Sequence, residues 1–121
     1  MKISACWIVK DEAEELCRSL ASTAPAADER IVVSTAGAPA VAAAAAAYHA
    51  DLYDVVWQDD FSMARNEALR HATGDYVIFL DADEYFFHPE EVRAGIADTL
   101  RKEPDADVLM ILLCSFLSAE D

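Results

Sequence analysis

Short apolar runs alternate with helix-periodic segments along this chain, and that alternation leaves few folds open to it. Ile3 to Val9 reads as a buried strand. Asp11 to Ser22 reads as a helix, with Ala13, Leu16, Cys17 and Leu20 at the i, i+3, i+4, i+7 spacing of one buried face. Asp11 and Glu14 are spaced as a capping box, and an acidic first turn suits the helix dipole. Arg30 to Ser34 follows as a second strand, Pro39 to Ala50 as an alanine-rich helix with proline in its first turn, and Asp51 to Trp57 as a third strand. Phe61 to Ala72 is the third helix, with Phe61, Ala64, Ala68, Leu69 and Ala72 on one face and Gly74 as C-cap. Tyr76 to Leu80 is the fourth strand. Pro89 to Lys102 is the fourth helix, with Val92, Ile96 and Leu100 as its buried stripe, and Asp107 to Cys114 is a fifth strand. Strands and helices in alternation make βαβ units, hence a mostly parallel sheet with right-handed crossovers and helices on both faces: a three-layer, Rossmann-like α/β architecture. At 121 residues the whole chain, 1–121, is expected to be a single domain.

In such sheets ligands bind beyond the carboxyl ends of the strands. The polar clusters of this sequence fall there: Lys10-Asp11-Glu12 after the first strand, Ser34 to Ala38 after the second, Gln58-Asp59-Asp60 after the third and Asp81-Ala82-Asp83-Glu84 after the fourth. The last of these stands out. Three carboxylates over four positions at the end of a buried strand repel one another and lose hydration, and a hard cation that takes oxygen ligands, Mg²⁺ or Mn²⁺, compensates for both. In extended chain Asp81 and Asp83 point the same way, roughly 6–7 Å apart. That spacing suits one direct metal ligand and one partner through water, and the small Ala82 lets a ligand approach. The competing reading is a solvated acidic turn.

Composition removes several function classes. A net charge of −14 argues against a nucleic-acid backbone or an anionic membrane as the main partner. It suits a chain whose anionic ligand arrives with a divalent cation, although acidity also serves solubility alone. Cys6, Cys17 and Cys114 are odd in number, widely spaced and set among apolar residues, the pattern of reduced thiols in a cytoplasmic protein. Lys2 before a short apolar stretch followed by Asp11 and Glu12 does not make a signal peptide, and the longest apolar run, Val108 to Cys114, is too short for a transmembrane segment. His49, His71 and His88 lack metal-ligand spacing, and three glycines with no glycine-rich loop argue against a P-loop or dinucleotide site.

Three stretches, in order, carry a resemblance. The first strand ends in Val9-Lys10-Asp11-Glu12. The third helix opens with Trp57-Gln58-Asp59-Asp60-Phe61-Ser62-Met63-Ala64-Arg65-Asn66. Ala72-Thr73-Gly74-Asp75-Tyr76 then leads to Phe79-Leu80-Asp81-Ala82-Asp83-Glu84. Together they resemble the family 2 glycosyltransferases of GT-A fold, most closely the bacterial branch with W-x-D-D-F-S-x-A-R-N. The match runs from Ile3 to about Phe87. The resemblance implies metal-dependent transfer of a sugar from a nucleotide diphosphate, a UDP-sugar, to an acceptor it does not identify. Asp83 and Asp81 would hold Mn²⁺ or Mg²⁺, and Lys10, Glu12, Ser34, Asp60, Arg65 and Asp81 would form the nucleotide-sugar site. Arg65 would lie near the diphosphate or steady the carboxylates; its alternative is a helix-surface arginine paired with Asp60 or Asp59.

Two departures bear on activity. Where the family carries D-T-G-S-x-D, this chain has Ser34-Thr35-Ala36-Gly37-Ala38-Pro39, so a serine replaces the carboxylate that helps hold base and ribose, without its charge-assisted bond. The family also needs about as much chain again for the acceptor site and the general base, so the chain is expected to be a truncated donor-binding domain lacking the acceptor half; the terminal pair Glu120 and Asp121 is not assigned as base. Two other functions compete. One is a degenerate domain that binds nucleotide or metal without transfer. The other is a structural module forming a homodimer through an exposed edge at Val108 to Leu113.

Overall fold

The computed structural model describes residues 1–102 and 114–115. Four parallel strands make the main sheet: β1 (Ile3–Val9), β2 (Glu29–Ser34), β3 (Asp51–Asp54) and β4 (Tyr76–Leu80), in the order β3-β2-β1-β4. The intervening helices are α1 (Ala13–Ser22), α2 (Pro39–Ala47) and α3 (Phe61–His71); beyond β4 come a short strand β5 (Glu84–Tyr85), α4 (Pro89–Lys102) and β6 (Cys114–Ser115). β5 and β6 pair antiparallel in a separate two-stranded ribbon. The expected fifth strand over Asp107 to Cys114 is described only at Cys114, which belongs to this ribbon and does not extend the parallel sheet. Val108 to Leu113, Glu120 and Asp121 lie outside the described residues.

Strand β1 is central and alternates cleanly. Ile3, Ala5, Trp7 and Val9 join Val32, Ile78 and Leu80 in the larger core, under Leu16 and Leu20 of α1, Val41, Ala44 and Ala45 of α2 and Ile96 of α4. Cys6, with Ile8 beside it, points the other way, to Ile31, Val33, Phe79 and the Ala64 and Ala68 face of α3. The chain winds from β1 outward to β3 with helices on one face, then crosses back to β4 on the other side of β1 with α3 on the opposite face. Right-handed crossovers require that reversal. Each fully buried large side chain contributes roughly 1.5–3 kcal/mol. Trp7, without exposed surface, donates its indole N–H to Ser19 Oγ at 2.7 Å, which ties β1 to α1 without leaving a buried donor unpaired.

At the amino end of the sheet a polar knot spans the chain. Glu29 Oε2 accepts from Ser4 Oγ at 2.6 Å and from the Thr73 amide at 2.8 Å, and Ser4 Oγ accepts from the Gly74 amide at 2.9 Å. A Cβ on Gly74 would stand 2.5 Å from Ser4 Oγ, 2.8 Å from Ser4 N and 3.0 Å from Lys2 O. Gly74 is therefore a close-approach residue. The helix C-cap expected there is Ala72 in extended conformation. Burial raises the Glu29 carboxyl, but the hydrogen bonds from Ser4 and Thr73 outweigh it and hold the group below its ordinary value. Burial, with the Glu29 charge nearby, pushes the Cys6 thiol up to about 12. Arg93 of α4 fastens the same end: it donates to Asp28 Oδ2 at 2.9 Å and to the Met1 carbonyl, while Asp28 Oδ2 also accepts from the Ile3 amide.

Other boundaries differ from the sequence reading for local reasons. Helix α1 begins at Ala13 with Glu12 as N-cap, one residue later than the Asp11–Glu14 capping box requires, so the box does not form and no side chain caps the helix; Glu12 Oε2 turns back to accept from the Lys10 amide at 3.2 Å. Helix α2 stops at Ala47, three residues early. His49 takes φ 57°, its amide reaching Ala46 O at 3.3 Å and the Ala50 amide reaching Ala45 O at 2.8 Å, a Schellman cap with histidine where glycine is usual. Strand β3 ends at Asp54, since its one strand neighbour among the described residues, β2, ends opposite at Ser34; Val56 and Trp57 stand outside it, exposed. On α3, Ala64 and Ala68 are buried as expected, but Phe61 and Leu69 are exposed. Among the described residues no helix is long and apolar enough to cross a membrane.

Two outcomes follow from these contacts. Glu29 titrates lower in the folded chain than its ordinary 4.5, so its contribution is fully present above that value and is lost as pH falls through the folded value. Denaturant titrations should find Glu29→Gln about 1–2 kcal/mol less stable than wild type at pH 7, with the difference shrinking at pH 3. His49→Gly relieves a left-handed β-carbon and should raise stability by about 0.5–1 kcal/mol, net of the extra freedom of glycine in the unfolded chain; a lowered melting temperature would contradict the cap assignment.

Candidate functional site

A cavity of about 340 Å³ opens at the carboxyl end of the sheet. Its wall is Ile8 from the end of β1, Lys10 and Glu12 from the loop that follows, Thr35 just past β2, Trp57 beyond β3 and Phe61 at the start of α3. Of the residues singled out in the sequence, Lys10 and Glu12 lie here. Ile8, Thr35, Trp57 and Phe61 are not among the site residues the sequence offers. Apolar patterning puts Trp57 on a strand and Phe61 on a buried helix face, yet the two flank a doubly acidic turn, where large aromatics have no core to enter.

Local chemistry fixes that aromatic wall. Asp60 is the N-cap of α3, its Oδ1 accepting from the Ser62 and Met63 amides at 3.0 and 3.3 Å. Asp59 adopts φ 55°, and its Oδ1 accepts from the Trp57 indole N–H at 3.0 Å. The Trp57 and Phe61 rings then meet edge to face, 6.3 Å apart at 77°. Arg65, one turn into α3, carries its guanidinium 4.4 Å from the Phe79 ring centroid and 5.7 Å from that of Phe61. It pairs with neither Asp59 nor Asp60; a cation over aromatic faces keeps most of its donors free.

Ser34 sits apart from the cavity wall. It is buried, 1% exposed, and its Oγ accepts from the Gly37 amide at 3.2 Å, bracing the turn at the end of β2. Thr35, next in sequence, is the residue that reaches the cavity.

The fourth polar cluster lies across β1, where the strand order reverses. The chain does not continue extended past Leu80, as the Asp81–Asp83 spacing argument assumed. It turns at once: the Glu84 amide donates to Asp81 O at 2.9 Å, and Glu84 Oε1 accepts from the Asp81 amide at 2.7 Å. Ala82 is buried, 7% exposed, in the larger core, while Asp81 and Asp83 on either side are exposed. The small residue packs inward. Glu84 is turned back on the backbone. Two outward carboxylates are a hard, all-oxygen donor set that fits Mg²⁺ or Mn²⁺. Among the described residues no group of three or more His, Cys, Asp or Glu is placed to hold a metal without help. A cation here therefore needs further oxygens from water or from an anionic ligand.

The comparisons agree with this geometry. The profile described as "Glycosyl transferase family 2" matches residues 4–115. A TPR repeat-containing protein of Synechococcus elongatus is 48% identical over 83 residues, which is 69% of this chain and 21% of that protein. The fold also resembles S. aureus TarS, with TM-score 0.67 and 22% identity over 86% of this chain and 20% of that one. It resembles glucosyl-3-phosphoglycerate synthase from Mycobacterium tuberculosis in complex with Mn²⁺, UDP and glucosyl-3-phosphoglycerate, with TM-score 0.63 and 18% identity over 88% of this chain and 40% of that one. The chain thus has the fold of GT-A transferases and spans between a fifth and two fifths of the length of these relatives.

Asp60→Ala removes the acceptor for two helix-start amides and should cost about 1 kcal/mol, with hydrogen exchange at Ser62 and Met63 accelerating before that of the rest of α3. Asp60→Asn, which keeps the acceptor, should restore most of it.

Proposed function

The chain belongs to glycosyl transferase family 2, and on that premise we propose that residues 1–121 are the donor-binding domain of a transferase that uses a UDP-sugar with Mn²⁺ or Mg²⁺. The observation that carries the proposal is one end of one sheet bearing an aromatic-walled cavity over β1–β3 and an outward carboxylate pair after β4. A pyrimidine base needs a flat apolar surface, which Trp57 and Phe61 offer; Glu12 and Thr35 supply polar atoms for base or ribose, and Lys10 a positive charge. Arg65, restrained over Phe79 of β4 and the cavity residue Phe61, is the guanidinium we assign to the diphosphate. Asp81 and Asp83 would hold the cation, which offsets the charge developing on the departing nucleotide diphosphate. The mycobacterial synthase complexes with UDP and either Mn²⁺ or Mg²⁺ support this choice of ligands. The free thiols Cys6 and Cys17 support a reducing, cytoplasmic setting.

A second reading, nucleotide or metal binding without transfer, is favoured by Ser34. In the family's carboxylate position this chain has a buried hydroxyl already engaged with Gly37, so the base and ribose receive no charge-assisted bond from it.

Calorimetric titration decides between these ideas. UDP with Mn²⁺ should bind much more tightly than either alone, since two carboxylates leave the cation short of ligands. Asp83→Ala should reduce the co-binding by at least about tenfold with no loss of fold. Unchanged co-binding in that variant would sink the metal assignment, and no binding of UDP with either cation would sink the nucleotide reading. Turnover of a UDP-sugar against an acceptor panel, by a protein that contains this domain, separates transfer from binding alone.

A further inference from the structure

We infer that Asp59 is a positioning residue for the nucleotide cavity: its carboxylate fixes the Trp57 indole as the cavity wall. The inference rests on the nucleotide reading above and deepens it. Four observations meet at this point. Trp57 is 42% exposed, so core packing does not hold it. It lines the cavity and meets Phe61 edge to face. Its only polar atom, the indole N–H, is bonded to Asp59 at 3.0 Å. And Asp59 takes φ 55°, a left-handed conformation that glycine adopts freely and L-residues adopt at a cost, smallest for aspartate and asparagine.

That backbone conformation reverses the chain tightly enough for a carboxylate to reach the indole two residues earlier. Glycine would make the same turn with less strain, yet it lacks the acceptor. The neighbouring Asp60 is engaged with the α3 amides, so the two adjacent acids have separate tasks: one starts the helix, and the other aims an aromatic ring. An exposed indole without this bond samples several rotamers, and a ligand that stacks on it must first select one. Ordering a side chain of this size on binding costs roughly 0.5–1.5 kcal/mol. The Asp59 carboxylate removes that cost before the ligand arrives.

Asp59→Gly and Asp59→Asn separate the contributions. Glycine keeps the turn and loses the acceptor; asparagine keeps both. Acrylamide quenching, and the anisotropy of the acrylamide-quenchable component, report on Trp57 in the free chain, because Trp7, the other tryptophan, is fully buried and shielded from the quencher. In Asp59→Gly the exposed tryptophan should become more mobile and UDP·Mn²⁺ affinity should fall about two- to tenfold. Asp59→Asn should match wild type in both, and Trp57→Ala should lose at least as much affinity as Asp59→Gly. Unaltered anisotropy in Asp59→Gly overturns the inference whether or not nucleotide binds. Wild-type affinity in Asp59→Gly, with wild-type binding intact, overturns the positioning role and leaves the nucleotide reading standing. No binding by wild type overturns the nucleotide reading and, with it, the role assigned to Asp59.

Discussion

Everything at the carboxyl end of this sheet depends on β1 being paired along both edges and covered on both faces. A strand in that position has no freedom to slide: a one-residue slip would turn Trp7 toward α3 and Cys6 toward α1. Register with β2 places Val9 against Ser34, and register with β4 places Trp7 against Leu80. The loop carrying Lys10 and Glu12 therefore emerges at a fixed height between Thr35 on one side and the acidic turn on the other. The loops after β1 and β4 lead to the same face of the sheet, since Leu16 and Leu20 of α1 share the larger core with Ala82 and Ile96.

The two ends of the sheet divide their labour. The amino end is tied by polar contacts far apart in sequence, with Glu29, Ser4, Thr73, Gly74, Asp28 and Arg93 all engaged. The carboxyl end has side chains that are restrained yet still hold unsatisfied capacity: an indole pinned at its nitrogen with its face free, a guanidinium lying on rings with donors to spare, carboxylates facing solvent. Stability is concentrated where no ligand is expected, and the ligand-facing end is left polar and open.

How much of this could be read from the sequence depended on how local each cause was. β1, β4 and α4 have the extents expected of them because their limits are written beside them: Lys10-Asp11 after Val9, the Asp-rich segment after Leu80, Pro89 at the start of the last helix. The element order and the ligand-facing end followed from alternation alone. Val55, Val56 and Trp57 read as strand because they form an apolar run, whereas β3 is an edge strand among the described residues and its length is set by its partner. Phe61 misled because helical periodicity assigns a face but cannot say that a first-turn residue stands over a cavity. Gly74 looked like a helix stop; its requirement comes from Ser4, seventy positions away, and no local rule contains that. The pairing of Arg65 with Phe79 was hidden for the same reason.

The burial of Ala82 has a consequence for how such a turn diversifies. Its methyl group is a peg in the larger core, so the height of the turn is set by packing, whereas the side chains on either side of it are free of packing duties. The outer positions are thereby mechanically decoupled from the fold: charge and donor type there are open to change at little structural cost, while the middle position tolerates almost nothing larger than a methyl. A spacing of acid, small residue, acid is thus as much an anchoring pattern as a chemical one, and its central residue is the one that substitution libraries should leave alone.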